Sequence, residues 1–197
     1  RFEGNGYGEE WKKEAAKRGL SNIQDTPRAL DVWDRPETKK LFADMGVLSG
    51  VELEARHEIE LHSYVLKIQI ESRVCGDLAL NHIIPAAINY QNRLLENVRG
   101  LREVLGVEKA KMAAATQVEL IEEISEHLGK LKSLTDAMIE ARKKANTIED
   151  HRDKAIAYCD KVRPFLDEIR YHSDKLEITI DDELWPLPKL RELLFTR

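Results

Sequence analysis

The residues best able to bind metal or move protons in this 197-residue chain are its six histidines, His57, His62, His82, His127, His151 and His172. The string His57-Glu58-Ile59-Glu60-Leu61-His62 has the outline of a zinc helix. Its second histidine comes five residues on rather than four, however, and so turns off the shared face. Asp77 and His82 share that defect. A two-metal carboxylate site in a bundle needs Glu-x-x-His pairs facing inward from two helices. Glu54-Ala55-Arg56-His57 supplies one such pair, and Glu123-Ile124-Ser125-Glu126-His127 misses by one residue. Glu52, Glu54, Glu58 and Glu60 therefore read as a solvated face. Gly4, Gly6 and Gly8 alternate in a way that fits neither the dinucleotide fingerprint nor the phosphate loop, so they read as a turn. Arg142-Lys143-Lys144 stands near a helix C-terminus, where cations complement the dipole; a phosphate site there is the weaker reading. Asn81-His82-Ile83-Ile84-Pro85 puts polar groups beside a helix kink, the best place in the chain for a buried polar network. No nucleophile elbow and no serine or cysteine triad is present. The expected catalytic, cofactor-binding and metal residues are none.

The elements that would position these side chains are helices. Ser49-Gly50-Val51-Glu52 is a capping box, and helix formers run from it to Leu105 with one proline, Pro85. The middle of that stretch, Tyr64 to Ile70, is apolar nearly all round, which predicts neighbours on more than one side. Inward positions around and beyond Pro85 are Leu80, Ile84, Ala87, Gln91, Leu94, Val98, Leu101 and Leu105, a four-three alternation. Gly106 predicts a break. A second long helix, about Glu108 to Ala145, carries a seam of Gln117, Ile121, Ile124, Leu128, Leu131, Thr135 and Met138. A third, about Glu149 to Leu176, carries Ala155, Cys159, Val162, Leu166, Ile169, Ser173 and Leu176. Pro85 and Pro164 should kink their helices rather than end them. The polar seam residues Gln91, Gln117, Thr135 and Ser173 are placed to fix register.

Before the long helices come three short ones. The first runs from Glu9 to Arg18 and is capped by Gly19. The second has Thr26 as N-cap and Pro27 at the first turn, and extends through Trp33. The third runs from Pro36 to Met45 and is ended by Gly46. Arg1 to Gly8 reads as a strand end entering a turn. After Leu176 comes a tail whose Leu184, Trp185, Leu187, Leu190, Leu194 and Phe195 suggest docking. The expected fold is all-α: an elongated antiparallel bundle of three long helices with short N-terminal helices and a C-terminal tail.

A charged fraction of 34%, above the roughly 25% of an average protein, fits long helices with solvated faces. The net charge of −5 gives nucleic-acid binding no global electrostatic support. No apolar run of about 18 residues exists for a membrane helix, and no signal peptide is expected. Cys75 and Cys159 read as buried free thiols, suited to a reducing compartment, although a disulfide between them is possible in principle. Starting at Arg1 without a methionine, the chain is expected to be a piece of something longer.

Several separate strings resemble the C-terminal region of type III glutamine synthetases, over essentially all 197 residues. They are Glu9-Glu10-Trp11 with Lys17-Arg18-Gly19-Leu20-Ser21-Asn22, then Gly46-Val47-Leu48-Ser49, Val51-Glu52-Leu53-Glu54-Ala55-Arg56, Ile68-Gln69-Ile70-Glu71-Ser72-Arg73 and Asn81-His82-Ile83-Ile84-Pro85-Ala86. The tail Leu184-Trp185-Pro186-Leu187-Pro188, with Leu193-Leu194-Phe195 after it, is similar to that family's end. The resemblance implies a ligase that joins ammonia to glutamate with ATP and divalent metal (Mg or Mn), built as two stacked hexameric rings and working in the cytoplasm. It implies that the catalytic residues lie upstream. Residues 1–48 would then be the end of the catalytic domain with connecting helices, and 49–197 a non-catalytic helical domain serving assembly, stability or regulation. Its partners would be its own catalytic domain and sister subunits, with no nucleic acid and no membrane. The alternative is an independent helical-bundle module that recruits another protein; a metal-binding bundle is the remaining reading.

Overall fold

The computed structural model describes residues 3–195. Among them the chain is all-α: helices joined by turns, with no strand. The strand end expected at Arg1-Phe2 lies outside the described residues, as does the side chain of Leu190. The glycine-rich start is a turn in which Asn5 Oδ1 accepts from the Tyr7 N–H at 2.9 Å and the Asn5 carbonyl accepts from the Gly8 N–H at 3.0 Å.

The chain divides into two compact units. One takes in the chain through Val65 together with Asp150–Ile156; the other takes in Leu66–Glu149 and the chain from Ala157 onward.

The first unit holds α1 (Glu9–Lys17), α2 (Thr26–Leu30) with a 3-10 turn (Asp31–Asp34), α3 (Pro36–Asp44) and the start of α4 (Gly50–Asp77). Local chemistry sets these boundaries. Ser49 and Glu52 form the expected capping box: Glu52 Oε2 accepts from the Ser49 N–H at 2.7 Å, and Ser49 Oγ accepts from the Glu52 N–H at 3.3 Å. After α3 the Val47 N–H reaches the Phe42 carbonyl and the Gly46 N–H reaches that of Ala43, both at 3.0 Å, with Gly46 at φ 65°. That paired closure is the left-handed cap expected of a glycine there. The cap of α2 is one residue earlier than expected. Asp25, not Thr26, accepts from the Arg28 N–H at 3.0 Å, because a carboxylate two residues before Pro27 reaches the free donor. Ala15, Pro27, Leu53, Leu61 and Ala155 are buried, and the Trp33 and Phe42 rings stand 5.9 Å apart.

The second unit is built on α7 (Ala115–Asn146), which packs against α5 (Ile84–Leu105) and α9 (Arg163–Thr179). Side-chain pairs give the directions. Gln91 meets Ser125 while Asn97 meets Gln117, and His127 meets His172 while Asn146 meets Tyr158. Both neighbours therefore run antiparallel to α7, as the short links predict. Gly106 breaks the chain between α5 and α6 (Val107–Ala113) at φ 74°, ψ 167°, a backbone conformation essentially reserved for glycine. The expected uninterrupted second helix is divided once more at Ala114 (φ −102°, ψ 8°), where the backbone leaves helical geometry and the buried Ala114 still accepts from the Val118 N–H.

Neither Pro85 nor Pro164 ends its helix. Each is preceded by a π turn, Leu78–Ile83 and Tyr158–Val162, in which Ile84 donates to the Ala79 carbonyl and Arg163 to the Tyr158 carbonyl, five residues back. A widened turn makes room for a residue that cannot donate and that crowds the carbonyl four before it. The extra residue shifts the inward face. Ala79 and Ile83 are buried in place of the expected Leu80 and Ile84, which are half-buried. In the second and third seams Ile124, Leu131, Thr135, Met138, Ala155, Cys159, Val162, Ile169 and Leu176 are buried, while Gln117, Ile121, Leu128, Leu166 and Ser173 are half-buried. Of the polar seam residues, Gln91 and Gln117 cross to the facing helix, onto the Ile121 carbonyl, Ser125 Oγ and Asn97 Oδ1. Thr135 and Ser173 instead donate to their own helix, four residues back.

Candidate functional site

The histidine and carboxylate patterns of the sequence do not converge. His62 and His82 are exposed, and no group of three or more His, Cys, Asp or Glu among the described residues is placed to hold a metal ion. The acids among the described residues lie spread along helix faces and are not gathered to hold a metal ion. Asn81 and His82 are exposed rather than part of a buried network, and Asn81 Nδ2 donates to Asp77 Oδ1 at 2.5 Å. The reason is the π turn, which rotates them to solvent. Lys143 pairs with Glu140 at 2.7 Å on its own helix. Cys75 and Cys159 are free; Cys159 is buried and Cys75 half-buried, its thiol pushed up by burial and so kept protonated.

The polar groups that do meet were not visible in local spacing. In the first unit Arg152 grips Asp31 through two bonds of 2.6 and 2.7 Å, and this pairing holds the Asp31 carboxyl below its ordinary value. Lys39 bridges Asp34 and Glu54 at 2.8 and 2.7 Å. In the second unit Asn146 Oδ1 accepts from Tyr158 Oη at 2.6 Å and from Gln69 Nε2 at 3.3 Å, tying α4, α7 and the second π turn together. Burial raises the Tyr158 phenol, which stays a donor. His127 and His172 meet across α7 and α9. These arrangements orient and join helices; none presents a nucleophile beside a base.

What the second unit offers a partner is apolar surface. On α4 the buried residues Ile68, Ser72 and Gly76 recur every four residues. Leu66, Ile70 and Val74 recur with the same interval on the other side and are 45%, 53% and 51% exposed. The all-round apolarity of this segment therefore has one face in the chain's own core and one face open, rather than two covered faces. Ile70 and Val74 of the open face also line a groove of about 520 Å³, together with Leu78, Trp185 and Leu187. The tail supplies one wall of it. Trp185 is buried, and Lys189 Nζ donates to the Glu177 and Ile180 carbonyls at 2.7 and 3.2 Å, closing the end of α9. The tail thus docks through Trp185, whereas Leu193, Leu194 and Phe195 are exposed. A second groove of about 730 Å³ follows the second π turn, floored by Ala141, Ala145, Ala157 and Phe165.

Comparison with known proteins gives a consistent answer. Residues 1–102 match the family described as the glutamine synthetase C-terminal domain. The whole chain is 51% identical to a glutamine synthetase of Bacteroides fragilis (strain YCH46) and 32% identical, over 196 residues, to the Type-3 glutamine synthetase of Dictyostelium discoideum. It is 27% identical over 195 residues to a glutamine synthetase of Butyrivibrio fibrisolvens. In each case the chain spans 27% of the relative's length.

Proposed function

The chain belongs to the glutamine synthetase C-terminal domain family, and from that premise we propose that it is the non-catalytic helical part of a type III enzyme, joining ammonia to glutamate with ATP and divalent metal. In this reading residues 1–48 are the end of the catalytic domain with short connecting helices, and 49–197 are the C-terminal helical domain. The domain serves assembly and stability, its partners being its own catalytic domain and sister subunits in two stacked hexameric rings in the cytoplasm. Among the described residues no helix is long and apolar enough to cross a membrane.

The observation that carries the assembly role is the open apolar face of Leu66, Ile70 and Val74. Covering what remains exposed of three such side chains would contribute on the order of 3 kcal/mol per copy. That is too little for a complex by itself but suits one seam of a larger contact. The match to a C-terminal domain family over half the chain disfavours an independent recruiting module.

The test is to assay the longer protein and this chain side by side. The longer protein should form glutamine from glutamate, ammonia and ATP. The chain alone should neither form glutamine nor bind ATP in calorimetry, and nucleotide binding by the chain alone would overturn the reading.

A further inference from the structure

His127 on α7 and His172 on α9 face each other with Nδ1 to Nδ1 at 2.9 Å and ring centroids 5.1 Å apart. They are 45 residues apart in sequence and both are half-buried within the second unit. Two imidazole nitrogens at that distance share one proton. One ring donates its Nδ1–H, and the other offers a lone pair and keeps its own proton on Nε2. The contact therefore tolerates the neutral pair and the singly charged pair. A second proton sets N–H against N–H and puts two cations side by side in a half-buried site.

The groups around the pair are mixed. From α7 come Glu123, whose Oε1 is 4.0 Å from His127 Nε2, with Glu126 and Lys130. From α9 come Glu168 and Tyr171, whose ring stands edge-on to His172 at 5.2 Å and carries Lys175 Nζ over its face at 5.6 Å.

We propose that this pair is a proton-operated clasp: it ties α9 to α7 while it holds no more than one extra proton, and double protonation releases it. Burial first, then His127 and Lys130, hold the His172 imidazole below the usual 6.5, with Glu126 and Glu168 pulling the other way. The unfolded chain therefore binds more protons at this position than the folded one. The contribution of His172 by itself is complete above 6.5 and is lost as pH falls from there through the depressed folded value, and the clasp opens once the pair takes its second proton.

Hydrogen exchange of the α7 and α9 segments in the intact protein, at about pH 7.5 and about pH 5.5 with intrinsic rates removed, reads the clasp directly. His172→Gln keeps an amide that can donate and accept but cannot titrate, and His127→Gln does the same from the other side. Acidification should cost the wild type protection around His127 and His172, and either variant should lose less. A flat wild-type profile, or an equal loss in a folded variant, overturns the clasp.

Discussion

Single side chains in this protein carry unequal weight, and burial decides which. Leu131 sits at the centre of the α7 seam with no exposure. Leu131→Ala removes its packing and leaves a cavity, so it should cost about 2–5 kcal/mol in denaturant unfolding. The Arg152–Asp31 pair is more solvated, with side-chain exposures of 44% and 29%. Its contribution is expected at or below about 1 kcal/mol despite good geometry. Because the bond to Arg152 depresses the Asp31 carboxyl, that contribution is present above the ordinary value of 3.8 and fades as pH falls through the folded one. Arg152→Met should thus lower the unfolding midpoint near neutral pH and make little difference in strong acid; an equal deficit at both would contradict it. This pair bridges 121 residues and the histidine pair 45. Sequence spacing reports on one helix at a time, so neither could be read from it, whereas the capping box at Ser49, a contact over three residues, could.

At the scale of the helix, the heptad seams were legible and the π turns were not. Two prolines announced interruptions, but a proline does not say whether the backbone bends or widens. Widening by one residue is what replaced Leu80 by Ala79 at the interior. Ala79 is fully buried where the first π turn packs on α7 and α9. Ala79→Leu should therefore overpack the site and destabilise by about 1–3 kcal/mol. Glycines separate along the same lines. A Cβ on Gly76 would meet Met138 Cε and Thr135 Cγ2 at 3.6 Å, ordinary contact, and one on Gly129 would meet nothing within 4 Å. Both lie inside helices, so Gly76→Ala and Gly129→Ala should each stabilise by roughly 0.5–1 kcal/mol. Gly106→Ala should destabilise, since φ 74° strains any side chain. Thermal unfolding of the three variants checks the contrast, and a stabilised Gly106→Ala would refute the backbone argument.

For the molecule as a whole, composition and periodicity reached the all-α fold, while function came through family resemblance rather than through chemistry. The apolar centre of α4 was visible in the sequence as Tyr64 to Ile70. What the sequence could not say is which face the chain itself would cover, because that depends on partners far away along the chain. Leu66, Ile70 and Val74 stay open, and the proposed assembly role rests on them. The most direct measurement is the mass in solution of the longer protein carrying Leu66→Asp together with Ile70→Asp. Both positions are half-exposed, so the subunit should still fold, with a helical spectrum like that of the parent. The account predicts smaller species than the parent assembly. A folded double variant with the parent's full mass would contradict it.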